Sequence, residues 1–155
     1  MGHKPVLTLQ VEGKKGQEHK ELRAHKWVLT TRYEYFKTLF ASGMKESRTN
    51  RVVIADIDEE TFENVLRFAY CCKPPDDMFY KATEYLSIAE RYGMEDLKAV
   101  CCEALKTSLT PENFFETLAA AQTYHCEELK NGIYKFIEAG RLSQRKYIFG
   151  RTASF

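Results

Sequence analysis

No run of apolar residues in this 155-residue sequence approaches the ~20 needed to cross a bilayer, and no charged-then-apolar leader opens it. The expectation is a cytoplasmic or nuclear protein with no membrane partner. Nor is there an excess of charge: 23 basic residues against 22 acidic ones leave a formal net charge of +1. Without a global field to draw in nucleic acid, any binding has to be local. A disulfide framework is missing too. The five cysteines, Cys71, Cys72, Cys101, Cys102 and Cys126, are odd in number and include two vicinal pairs that bridge poorly, so reduced thiols are expected. Metal-ligand spacing of the C-x2-C or H-x3-H kind does not occur. Gly13 and Gly16 sit in a Lys/Glu-rich turn rather than ahead of the apolar helix that a phosphate-cradling loop requires, so no cofactor is implied. Neither His25 nor His125 has a carboxylate in an orienting motif that would pair it with a nucleophilic cysteine. That argues against an enzyme and leaves Cys101 and Cys126 as small core hydrophobes.

At this length one compact domain, alone or with an appendage, buries a sizeable core. Val6 to Val11 (VLTLQV) is β-branched and apolar and closes on Glu12-Gly13-Lys14-Lys15-Gly16, which predicts a strand and a turn, with a short return strand at Leu22 to Ala24. Trp27 to Leu29 and Tyr35 to Ala41 predict two short helices, the second ended by Ser42-Gly43. With Val28, Leu29, Phe36, Leu39 and Phe40 turned inward, Gly43, Met44, Lys45 and Glu46 are left on a loop past a helix end, placed for something to read. Arg51 to Ile57 (RVVIADI) is a third strand. Asp58 then caps a helix with Glu59 and Glu60 in its first turn and Phe62, Val65, Leu66 and Ala69 on one face. Lys73-Pro74-Pro75-Asp76-Asp77 cannot continue that helix.

The second half repeats itself. Leu86, Ala89, Tyr92, Glu95, Leu97, Lys98 and Leu105 recur 32 residues later as Leu118, Ala121, Tyr124, Glu127, Leu129, Lys130 and Ile137. Two helical hairpins follow from this. Each has a helix ending near a tyrosine, then one running from E-[DE]-L-K along an apolar stripe: Leu97, Val100, Cys101, Ala104 and Leu105 in the first, Leu129, Ile133, Phe136 and Ile137 in the second. Thr110-Pro111 supplies an N-cap and a first-turn proline for the second hairpin. Two copies are too few for a solenoid, so they extend an α/β base. The basic segment from Arg141 to Phe155 has no apolar period, although Arg141-Leu142-Ser143 has the form of a kinase site.

In their order and spacing, A-H-K-x-V-L (Ala24 to Leu29), Y-F-K-x-L-F (Tyr35 to Phe40), S-G-M-K-E-S (Ser42 to Ser47), V-V-I-x-D-I (Val52 to Ile57), T-F-E-N-V-L-R-F-A-Y (Thr61 to Tyr70) and A-E-R-Y-G-M-E-D-L-K (Ala89 to Lys98) resemble a BTB/POZ domain. The likeness is to the speckle-type POZ, or MATH-BTB, group with its helical 3-box, over roughly residues 5 to 139. The fold class it implies is α/β (α+β), a small sheet flanked by α-helices and followed by a C-terminal helical hairpin. Its domains would be 5–108 BTB/POZ, 109–139 a 3-box at the start of a BACK-like region, and 140–155 a basic tail. The function it implies is an adaptor without its own chemistry. The BTB domain and 3-box hold the N-terminal domain of cullin-3, while a domain outside this chain holds a substrate for ubiquitination. The family's cullin-contacting motif, an apolar residue, any residue, then Glu, is matched by Met44-Lys45-Glu46, where a flexible thioether fills an apolar hollow and a carboxylate accepts hydrogen bonds. Tyr70, Asp77 and Met78 fall where the family adds to that surface.

The sequence departs from the family in two places. Most members carry an aspartate at the position of Val6, paired across a homodimer with a basic residue at the position of Lys26. Val6 cannot make that pair, so the dimer surface implied by Val6, Leu7, Lys26 and Trp27 is weak or altered. A serine that usually caps the helix at Glu34 is replaced within Arg32-Tyr33-Glu34, leaving Thr31 for that task. Residues Gly16 to Glu21 look inserted. Two other functions remain open: a homodimeric scaffold recruiting transcriptional corepressors, and a helical-repeat binding module.

Overall fold

Leu7, Leu9 and Val11 alternate with Val6, Thr8 and Gln10, and a two-residue period puts one set on each face of a strand. The structure, a computed structural model, describes residues 6–12 and 19–140. In it this alternation becomes β1 (Val6–Glu12) with the first three side chains buried. Strand β2 (Lys20–His25) pairs antiparallel to β1 with Leu22 opposite Leu9. It is longer at both ends than the return strand expected at Leu22 to Ala24. On the other side β3 (Arg51–Ala55) runs parallel to β1 with Val52 opposite Leu9, giving a mixed sheet of order β2-β1-β3. The turn expected at Gly13 to Gly16, the first half of the Gly16 to Glu21 insertion, and the segment from Arg141 with its Arg141-Leu142-Ser143 lie outside the described residues.

A parallel pair needs a crossover, and helices α1 (Lys26–Arg32), α2 (Glu34–Ala41) and α3 (Lys45–Thr49) supply it. The expected cap at Thr31 is not used. Tyr33 occupies the N-cap of α2 with extended backbone, makes no side-chain cap, and is buried. Its N–H donates to the Leu29 carbonyl at 2.9 Å, closing α1, and its carbonyl accepts from Lys37 at 3.2 Å as the first bond of α2.

Helix α4 (Glu59–Cys71) starts as its sequence dictates. The Asp58 carboxylate accepts from the Thr61 N–H at 3.1 Å and from the Thr61 hydroxyl at 3.2 Å. Phe62, Val65, Phe68 and Ala69 are buried, and Leu66 is half-buried. Cys72 ends the helix in the left-handed region, its N–H bonded to the Phe68 carbonyl. Tyr92 completes this first unit, which comprises residues up to Pro75 together with Arg91–Met94. Its ring stacks on Phe36 at 5.9 Å and meets Tyr35 and Phe62 edge-on.

The second unit, Asp76–Glu90 and the residues from Glu95 on, is built of two helical hairpins. Their helices are α5 (Met78–Arg91), whose last residue belongs to the first unit, α6 (Glu95–Thr107), α7 (Phe114–Thr123) and α8 (Glu127–Glu138). The repeat reads through: Leu97 and Leu129 are both fully buried, as are Cys101 and Ile133. Two expectations fail in detail. Helix α7 begins at Phe114 with Asn113 as its N-cap, not at Pro111. Thr110 and Asn113 bond each other reciprocally, backbone N–H to side-chain oxygen, at 2.8 and 3.4 Å, which holds Pro111 in the preceding turn. Of the expected stripes, Val100 is only half-buried and Ile137 is exposed.

Candidate functional site

The S-G-M-K-E-S stretch is a loop only over Ser42 to Met44, and from Lys45 it is helix α3. Gly43 takes a positive φ of 66°, where a side chain would be strained, and turns the chain out of α2. Met44 then becomes the N-cap of α3, its carbonyl accepting from the Ser47 N–H at 3.1 Å and the Ser47 hydroxyl at 2.8 Å. Asn50, left-handed at φ 50°, ends α3 by donating to the Glu46 carbonyl at 2.9 Å. Backbone bonds thus hold the Met44 and Lys45 side chains in solvent. Met44 is 57% exposed. Glu46 is half-buried, and its carboxylate engages no side chain among the described residues.

Along α2 lies an open groove of about 520 Å³ lined by Glu34, Tyr35, Thr38, Leu39, Ser42 and Met44. Tyr35, Thr38, Leu39 and Ser42 fall at i, i+3, i+4 and i+7, one stripe of the helix. The inward residues Phe36 and Tyr33 lie off that stripe. Leu39 and Phe40, expected inside, are only partly covered. The Tyr35 ring is fixed edge-on against Phe36 at 5.2 Å and Tyr92 at 5.1 Å, so the groove wall is rigid. The pair Tyr35 and Leu39, four residues apart on α2 and offset from Phe36, was the signal in the sequence that could have revealed this groove.

Tyr70 projects from α4 in the same unit and remains partly exposed. Its hydroxyl accepts from the His25 N–H at 2.7 Å and lies 3.0 Å from His25 Nδ1. That bond ties the end of β2 to α4 and fixes the direction in which the tyrosine points. Asp77 and Met78 belong to the second unit. Asp77 accepts from the Tyr85 hydroxyl at 2.7 Å and pairs with Lys81 at 3.4 Å. Burial alone would push its carboxyl up, but the Tyr85 and Lys81 contacts outweigh burial and hold it below the ordinary carboxylate value. Met78 is 3% exposed, so its side chain is part of the core and is not open to a partner.

The residues expected at a dimer surface are not alike. Leu7 is fully buried and belongs to the core, whereas Val6 and Trp27 are about half-exposed. Lys26 is satisfied within its own chain: its ammonium donates to Asn50 Oδ1 at 3.2 Å and lies 4.4 Å from the Phe40 ring centroid. Cys101, Cys102 and Cys126 are buried. Burial, with Cys126 nearby, pushes the Cys101 thiol up to about 12, so it is inert at neutral pH. Among the described residues no cluster of His, Cys, Asp or Glu is arranged to hold a metal, and no helix is long and apolar enough to cross a membrane.

Comparison with known proteins agrees with this architecture. The profile of the BTB/POZ domain matches residues 7–109. The chain is 39% identical over 118 residues to TD and POZ domain-containing protein 4 of Mus musculus, covering 76% of this chain and 32% of that protein. It is 36% identical over 118 residues to TD and POZ domain-containing protein 5 of the same species, covering 76% of this chain and 35% of that one. The chain thus spans only about a third of the length of these relatives. Among solved structures it is similar to the BTB domain of zebrafish PATZ1, with a TM-score of 0.52 and 27% identity over 66% of this chain and 75% of that one. With a mixed three-stranded sheet, flanking helices, and a sequence match over most of its length, the chain belongs to the BTB/POZ domain family.

Proposed function

We propose that this BTB/POZ module, a protein-interaction domain, is a substrate-adaptor component that binds the N-terminal domain of cullin-3 in a ubiquitin ligase, with residues 5–108 acting as the BTB domain and 109–139 as a 3-box. The observation that carries this reading is the open groove on α2, with exposed Met44 at its rim and the carboxylate of Glu46 one helical step beyond. A partner's apolar side chain entering between Tyr35, Leu39 and Met44 leaves water on both sides. A donor beside it gains a charge-assisted bond to Glu46. Lys45 is exposed and adds positive charge at the rim. Tyr70, partly exposed on the same unit, extends the contact in this reading. Substrate would be held by a segment outside this chain, consistent with relatives about three times as long. Titration of the full chain against the cullin-3 N-terminal domain tests the proposal. Saturable binding that depends on Met44 supports it, and absence of binding sinks it.

A homodimeric scaffold recruiting corepressors is the second reading, favoured by half-exposed Val6 and Trp27. Against it, Val6 offers no charge and Lys26 already has Asn50 and Phe40 as partners. A dimer therefore gains no ion pair there and is weak. Light scattering over a dilution series should show the mass falling toward that of one chain. A mass fixed at twice the chain down to nanomolar concentration would restore the scaffold reading.

A further inference from the structure

Cys102 and Cys126 are 24 residues apart in sequence, and the second unit folds them together. Cys102 lies on α6 and Cys126 is the N-cap of α8; both are buried. The turn ahead of α8 aims the second thiol. His125 takes a left-handed φ of 52°, and the Cys126 N–H then donates to the Ala121 carbonyl at 2.9 Å. The Cys126 thiol donates to the Tyr124 carbonyl at 3.7 Å. Backbone and thiol are thus both tied to the end of α7, and the Cys102 thiol is within hydrogen-bonding reach of Cys126. One turn further along α6, the Lys106 stem lies so close to Gly132 that a Cβ added there would come within 2.7 Å of it. The two contacts form one seam between α6 and α8, with the sulfurs at the end where α8 begins. Lys98, a turn before Cys102 and paired with Glu90 at 2.6 Å, sets a positive charge beside the sulfurs, which favours thiolate over thiol.

We propose that Cys102 and Cys126 are a redox modification site, at which a low-molecular-weight disulfide oxidises the pair and the bond formed between the two sulfurs clasps the α7–α8 hairpin to α6. Burial holds the Cys102 thiol well above its ordinary value, so the packed pair reacts slowly. The start of α8 has to lift first. The Cys126 thiolate then attacks one sulfur of the small disulfide and expels one small thiolate. As α8 returns, the Cys102 thiolate attacks the Cys126 sulfur of the mixed disulfide and expels the second. The two protons lost from the cysteines end on the two released thiols, and the pair gives up two electrons to the small disulfide. Cys101 is also near Cys126, but it is turned by about 100° around α6 into the column of Leu97. A bond between Cys101 and its neighbour Cys102 would distort the helix. The clasp does not rest on the groove of α2 or on cullin binding.

The test uses the full chain with Cys71→Ser and Cys72→Ser, which removes the exposed thiols, held with oxidised glutathione under native conditions. Expected is the loss of two hydrogens by intact mass with no glutathione retained. A tryptic digest without reduction should join residues 99–106 to residues 107–130. The linked chain should show a urea midpoint higher by roughly 1 M, returned to the starting value by dithiothreitol. Cys101→Ser should keep the link and Cys102→Ser should abolish it, with Cys102→Ala in its place where serine lowers the melting point. Fragmentation of the joined peptides places the bond at Cys102 even where both variants unfold. No reaction, or glutathione adducts without a link, would overturn the proposal. So would a two-hydrogen loss that leaves 107–130 free, or a link that survives without Cys102, because each puts the bond on Cys101. A link formed only in urea, or one that fails to raise the midpoint, would show that the bond does not fit the native seam and would overturn it equally.

Discussion

Met44→Ala measures the groove directly. Full burial of a methionine side chain is worth about 1.5–3 kcal/mol. Met44 keeps 57% of its surface in the free protein, so covering the remainder against a partner supplies roughly 0.9–1.7 kcal/mol. The void that truncation leaves in a packed interface adds to the loss. Binding to the cullin-3 N-terminal domain should weaken by about ten- to thirtyfold. Glu46→Ala removes a charge-assisted bond worth about 1.5–3 kcal/mol, and the double variant should lose roughly a hundredfold or more, allowing for non-additivity. Folding should barely respond. The bonds that Met44 makes as the N-cap of α3 come from its carbonyl and survive truncation. What the side chain already buries is worth about 0.6–1.3 kcal/mol, a shift of roughly 5 °C at most. Calorimetric titration and thermal melting of the same samples separate the two effects. A double variant that melts normally and binds like the parent would move the contact away from α2 and α3. One that melts far lower would show that Met44 is structural.

Asp58→Ala should cost about 0.5–2 kcal/mol by removing the cap on Thr61, read as a lower urea midpoint with an unchanged slope. Short exposure to N-ethylmaleimide at neutral pH should label Cys71 and Cys72 and spare Cys101, Cys102 and Cys126 until the chain is unfolded, counted by mass spectrometry; rapid labelling of a third thiol would contradict the packing around α6. The Asp77 carboxyl is held below its ordinary value, so its stabilising contribution is complete above about pH 4, the unfolded-state value, and fades as pH falls through the folded one. Asp77→Asn should therefore flatten the acid side of a stability profile and leave its slope near neutrality unchanged.

Features carried by neighbours in sequence were legible before any coordinates. The Asp58 cap, the buried face of α4, the alternation of β1 and the 32-residue repeat each need only a local bond or a period, so the residues themselves state them. Met44-Lys45-Glu46 was also visible as a candidate, though only its resemblance to a family assigned it a partner. Tertiary structure decided what depends on distant chain. Helix α2 is short, and its apolar residues allow more than one phase. Tyr92, more than fifty residues on, settles it by stacking on Phe36 and bracing Tyr35, which turns Leu39 toward the groove. Lys26 looks unpartnered beside Val6 until the end of α3 brings Asn50 to it. Met78 follows a proline-rich loop and reads as surface, yet packing buries it. Tyr134 and Cys102 hold the same place in a repeat, and only the stacking of one hairpin on the other makes one core and the other surface, because burial belongs to the neighbour that arrives and not to the residue that waits.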